Sequence, residues 1–368
     1  MLRTAFPPLR SRSSSRLDPP LRSPAFRVGL LCLAAILIAD ALVIDEHGLH
    51  GDDANYERMA TDPGAAHNVP YAYRIAVPWL VHVLPFSHTF SFSLLAWLAT
   101  AASGGVLYAL LREFDIGERL SVALALGLAL SPPLLAVSLR QGRNVDAASV
   151  FVLLLGTLFI VRRQRVGLVL TLLVGTLVRE SSLFLIPLAY AVWAQRPFDL
   201  QALRDTATVA VLPAVAYVAV RSSITAVGQS YEPGYSGPFF HARWEMLRQG
   251  VAGGGWHLQV RRVASVFGPL WLAAPFALRD LRFARAGLVL VVLCAGAMTY
   301  ALDWGRVLFL AAPVVYVAAA WAVRNRRVFA VAMVAGLLAL DLGYGIYMQV
   351  HGVRHGIDGT SRSTRPIP

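Results

Sequence analysis

The sequence predicts an all-α fold: a polytopic transmembrane helix bundle of about eleven spans, with an interfacial helix in the first outer loop. Three observations predict it. Of the 368 residues, 57% are hydrophobic and only 15% charged, at a mean hydropathy of +0.58. The apolar residues fall in segments close to the roughly 17–25 residues that a membrane-spanning helix needs. Arginines collect between those segments, as the Lys/Arg bias of inner loops requires. The formal charge of +12 comes from arginine alone, with no lysine in the chain. Topology accounts for that charge, so no nucleic-acid partner is called for.

Residues 1–27 are rich in Arg, Ser and Pro and read as a disordered basic cytoplasmic tail. The transmembrane domain covers 28–350, and 351–368 read as a disordered C-terminal tail. The first span is 28–44. Ala39-Asp40-Ala41 faintly resembles a cleavage site, but the long basic lead and Asp40 favour an uncleaved helix. An acidic outer loop, 45–73, follows. The stretch 75–86 is too short to span and holds Pro78 and Pro85, while its Trp79 and His82 suit a membrane interface. Further spans are expected at 90–111, 120–139, 145–161, 166–178, 181–194, 205–220, 263–278, 286–302, 307–323 and 328–349. With the N-terminus inside, the inner connections carry Arg112 and Arg119; Arg162, Arg163 and Arg165; Arg196 and Arg204; Arg279, Arg282 and Arg285; and Arg324, Arg326 and Arg327. The outer side receives loops 45–73 and 221–262, the second with an amphipathic stretch at 239–250 and Gly253-Gly254-Gly255. Spans 166–178 and 181–194 are short. They read as half-helices meeting at Arg179-Glu180 or as one broken helix, an irregularity tolerated only where it lines a cavity or is buried in protein. Cys32 and Cys294 lie inside apolar segments and read as small buried hydrophobes; no metal motif follows from them.

The candidate chemistry lies where ionisable residues interrupt apolar runs, all on the outer side of this topology. Charges at membrane depth are costly and point to function. Asp52 and Asp53 follow the first span, and a carboxylate there can accept a proton from a hydroxyl or bind a cation. Adjacent residues do not share a helix face, so the two have different jobs; a plain acidic loop is the alternative. Arg74, beside Tyr73, suits bidentate phosphate binding, or snorkelling to ordinary headgroups. Arg140-Gln141-Gly142-Arg143-Asn144-Val145-Asp146 opens a span: Asn144 is expected as N-cap and Asp146 in the first turn, and a helix N-terminus with two arginines favours phosphate, Arg143 being the better placed because it lies closer to the span. Arg179 and Glu180 are expected to pair with each other or with other helices, which a purely structural ion pair also satisfies. Asp303 and Arg306 form a late outer turn.

These residues carry a family resemblance. The first span with Gly51-Asp52-Asp53-Ala54-Asn55-Tyr56 after it, the segment Tyr73-Arg74-Ile75-Ala76-Val77-Pro78, and Arg179-Glu180-Ser181 ahead of a helix bearing Pro187 together resemble the GT-C superfamily of polytopic glycosyltransferases. The resemblance is architectural over most of 28–350. It implies transfer of a sugar from a polyprenyl-phosphate donor to a glycan or lipid-linked acceptor on the extracytoplasmic side, and the expected location is a bacterial cytoplasmic (inner) membrane. It assigns the catalytic base to Asp52 or Asp53, leaning to Asp52, and donor phosphate binding to Arg74, Arg143, Arg179 or Arg306. Tyr73, Asn144, Asp146, Glu180 and Asp303 would support them. A divalent cation is possible in such enzymes, and no nucleotide is expected. A flippase or transporter of lipid-linked sugars and a surface-polysaccharide polymerase or ligase are the rival classes.

Overall fold

The structure is a computed structural model. It describes residues 23–42, 52–69, 71–135, 143–229, 248, 255–298 and 304–350. Arg140, Asp303, residues 230–247, Gly253-Gly254 and both expected tails, apart from residues 23–27, lie outside them.

The described chain is helical apart from one pair of short strands. Helix α1 is Pro24–Leu42, α2 Asp52–Thr61, α3 Ala76–Val83, α4 His88–Glu113, α5 Glu118–Ala129 and α6 Pro132–Leu135. Then come α7 Asp146–Arg162, α8 Arg165–Val178, a 3-10 turn Glu180–Phe184, α9 Leu185–Trp193 and α10 Leu200–Ser223. The rest are α11 Gly255–Phe267, α12 Leu270–Asp280, α13 Arg282–Ala297, α14 Trp304–Phe309, α15 Ala312–Val323 and α16 Arg327–Val350. Strand β1, His67–Val69, pairs in parallel with β2, Ala226–Gln229.

Among the described residues, four helices are long and apolar enough to cross a membrane: Pro24–Leu42, His88–Glu113, Leu200–Ser223 and Arg327–Ile346. All four leave large apolar side chains uncovered, such as Ile38, Leu98, Val215 and Phe329, where a lipid phase rather than water satisfies them. The centre is α15, whose residues Ala312 to Ala320 are all buried, as expected of a helix apolar on every side. Helices cross closely where residues are small. A Cβ at Gly105 would lie 2.7 Å from the Ala25 carbonyl oxygen, so only glycine lets α1 cross α4 at that point.

The sequence left the segment around Arg179 open, and the structure resolves it as a reversal. Phe159 meets Gly167, Val152 meets Gly175 and Asp146 bonds Arg179, so α8 runs antiparallel to α7. Leu185 meets Gly156, and Trp193 Nε1 donates to the Ile160 carbonyl at 3.0 Å, so α9 runs back alongside α7. A Cβ at Gly175 would stand 2.8 Å from Ser182 Cβ, and its absence lets the turn fold back onto α8.

Two local expectations are corrected. Asp52 and Asp53 do not sit in an open loop but in the first turn of α2, where the N-terminal dipole favours acids. Asn144 is not the N-cap of α7: Val145 holds that position, and Asn144 Oδ1 accepts from the Asp146 backbone N–H at 2.8 Å, one residue earlier than expected.

Candidate functional site

Acids and arginines from the first loop, α7, the α8–α9 reversal and α14 meet at one end of the bundle. Asp146 is the hub. It is 6% exposed and accepts from Arg179 Nη1 on one carboxylate oxygen and from Arg306 Nε at 2.6 Å and Arg306 Nη2 on the other. Arg306 also reaches Asp52, with Nη2 3.1 Å from Oδ2. Tyr71 donates its hydroxyl to Asp52 Oδ1 at 2.5 Å. One guanidinium thus joins the first loop to the start of α7, and the Asp52 carboxylate is held by a phenol and an arginine while its side chain stays 30% exposed.

A second group lies against the first. Arg74 forms a two-pronged bond with Glu180, Nε to Oε2 at 3.1 Å and Nη2 to Oε1 at 2.6 Å, the fork geometry that arginine and carboxylate favour. Its Nη1 donates to Tyr56 Oη at 3.0 Å. Burial pushes the Tyr56 phenol up to about 12 against the opposing pull of Arg74, so the ring stays protonated and serves as a fixed dipole. The Tyr56 and Tyr71 rings meet edge to face at 5.3 Å. A third group joins α2 to the start of α4: Arg143 Nε stands 3.2 Å from Glu57 Oε2, Arg143 Nη2 donates to Thr89 Oγ1 at 2.6 Å, and His88 Nδ1 is 3.0 Å from Glu57 Oε1.

Of the residues named from sequence, Asp52, Arg74, Arg143, Arg179, Arg306, Asp146 and Glu180 come together here. Asp53 is buried, 3% exposed, on a different face of α2 from Asp52, as adjacency on a helix requires. Tyr73 stands at the edge of the cluster, its ring under Arg221 at 4.3 Å. Asn144 acts through the backbone of Asp146. Asp303 lies outside the described residues.

Sequence reasoning missed Tyr56, Glu57, Arg221 and the role of Tyr71. Tyr56 and Glu57 were legible only once α2 was a helix. Arg221 ends α10 on the site side, where the Lys/Arg bias alone would not place it. Asp341 was also missed: it is 4% exposed inside α16, and neither carboxylate oxygen has a hydrogen-bond partner among the described residues.

A polar cavity of about 60 Å³, lined by Asn55, Arg58, Ala66, His67 and Asn68, opens one turn along α2 from Asp52. Among the described residues no three His, Cys, Asp or Glu side chains are grouped to hold a metal ion. Each Asp52 carboxylate oxygen accepts one hydrogen bond, from Tyr71 and from Arg306. No protein-family model and no curated protein matches the chain.

Proposed function

We propose that the chain is a membrane glycosyltransferase. It moves a sugar from a polyprenyl-phosphate donor to a glycan or lipid-linked acceptor on the extracytoplasmic side of a bacterial cytoplasmic membrane, within a bundle of about eleven passages. The observation that carries this reading is Asp52, a partly exposed carboxylate fixed by Tyr71 and Arg306 at the edge of a buried ionic cluster. Such a group is oriented to take a proton from an acceptor hydroxyl. The acceptor oxygen then bonds to the anomeric carbon, the bond from that carbon to the phosphate oxygen breaks, and the polyprenyl phosphate leaves with the electron pair. One displacement inverts the anomeric centre. The cavity one turn from Asp52 offers amide and imidazole groups to a hydroxylated acceptor. Stabilising the negative charge that develops on the leaving phosphate is the largest catalytic term expected; Arg74, Arg143, Arg179 and Arg306, each paired with an acid, hold Asp52 and its surroundings in fixed orientation rather than adding net positive charge.

The test uses membranes holding the full chain and one defined polyprenyl-phosphate sugar. Asp52→Asn is expected to slow transfer by about 10²–10⁴-fold, and equal transfer by the variant and the unaltered chain would show the base assignment to be wrong.

Asp341 favours a second reading, a transporter of lipid-linked sugars, because a carboxylate without hydrogen-bond partners inside a span is a feature of ion-coupled carriers. Movement of labelled lipid-linked sugar across sealed vesicles, lost in Asp341→Asn, would select it.

A further inference from the structure

The four arginines named from sequence as phosphate ligands are each bound to acids. Arg74 faces Glu180, Arg143 faces Glu57, Arg179 faces Asp146, and Arg306 faces both Asp146 and Asp52. Four guanidinium groups therefore meet four carboxylates, and that set carries no surplus positive charge to attract an anion. Breaking one of those pairs to free a cation would leave its carboxylate uncompensated, and at Asp146, 8% exposed, buried as well.

Arg221 differs. It is half-buried, at the last turn of α10, with its guanidinium over two aromatic rings, 4.3 Å from the Tyr73 centroid and 4.7 Å from that of Tyr217. Its Nε is shielded from solvent and has no hydrogen-bond partner among the described residues, and no described acid lies in ion-pair contact with it. The rings stabilise the cation through their faces, which leaves its Nε–H without an acceptor among the described residues. The pairing of β1 with β2, immediately after α10, ties this arginine to the first loop, and Tyr73 is the neighbour of Arg74. A guanidinium resting on two ring faces, with its Nε–H unspent and sited beside a neutralised cluster, is built to receive a two-pronged oxyanion.

We infer that Arg221 is the anion-binding residue of this site and that the anion is a phosphate group. Its identification with the phosphate of the donor rests on the proposed sugar transfer; the binding itself does not.

The full chain in phosphatidylcholine nanodiscs, unaltered or as Arg221→Gln or Arg221→Lys, is titrated with a long-chain polyprenyl monophosphate, the matching polyprenol, phosphatidylglycerol or inorganic phosphate. The unaltered chain should bind the polyprenyl monophosphate, and Arg221→Gln should weaken that binding at least about tenfold. Arg221→Lys should fall between, having charge without the fork. Equal binding of polyprenol by all three chains shows that the variants are folded. If inorganic phosphate binds as tightly and with the same dependence on Arg221, the phosphate is a free ion rather than a lipid's. Unchanged phosphate binding in Arg221→Gln overturns the inference, as does phosphatidylglycerol binding as well as the polyprenyl monophosphate, which makes Arg221 an ordinary headgroup anchor. Arg221-dependent binding without sugar transfer in the unaltered chain would sink the proposed reaction alone. Transfer that is lost in Asp52→Asn but intact in Arg221→Gln would sink the inference alone.

Discussion

The two ends of the bundle use the same residue, arginine, in opposite ways. At the site end, Arg179 and Arg306 have side chains 14% and 17% exposed and close on an Asp146 carboxylate that is 8% exposed. At the other end, Arg162 meets Glu113 at 34% and 23% exposure, and Arg165 meets Asp205 at 54% and 12%. Other arginines there reach carbonyl oxygens: Arg285 those of Leu278 and Arg279, Arg282 that of Ala194, and Arg324 that of Trp321, whose ring it also covers. Carbonyls at helix C-termini lack partners within the helix and carry partial negative charge, so arginine is a natural cap for them in contact with water. That end is explained by topology. Charges withdrawn from water at the site end cost free energy that folding alone does not require, and this contrast separates a loop bias from a site.

Substitutions on the two ends test the contrast, and the largest effect is expected at the hub. Asp146→Asn leaves Arg179 and Arg306 without their shared carboxylate and should destabilise the chain by about 3–5 kcal/mol, read as a lower unfolding temperature in nanodiscs. A shift no greater than that of a surface substitution would make the cluster incidental. Arg74→Lys keeps the charge but loses the fork to Glu180 and the bond to Tyr56, with an expected loss of about 1–3 kcal/mol. Tyr56→Phe removes only the hydroxyl that accepts from Arg74, and about 1 kcal/mol is expected. Glu113→Gln, at the far end, should cost less than about 1 kcal/mol because its pair with Arg162 is half in water. Equal losses for Asp146→Asn and Glu113→Gln would erase the distinction between the ends.

Much of this contrast was legible in the sequence. The apolar segments gave the helices, and the charged interruptions gave seven residues that the structure gathers at one end. Pairing was not legible. Arg179 ignores its neighbour Glu180 and bonds Asp146, while Glu180 bonds Arg74, 106 positions away in the chain. The reason is local: Arg179 has extended backbone, φ −164° and ψ 141°, and successive side chains on extended backbone point to opposite sides. Helix α2 was hidden because Asp52-Asp53-Ala54-Asn55-Tyr56-Glu57-Arg58 has the polarity of a loop, although paired acids at its start are also a helix-start signal. Arg221 was hidden because its partners are rings rather than acids, and ring contacts leave no spacing rule in a sequence.

The central claim is that the ionic cluster and the basic connections lie on opposite sides of one membrane. Cys32 and Cys294 are both buried, so cysteines introduced by Arg58→Cys and Arg163→Cys, at exposed positions of the site end and the far end, report without background. A membrane-impermeant maleimide applied to sealed, right-side-out vesicles should label the first and reach the second only after permeabilisation. Labelling of both from the same side would contradict the account.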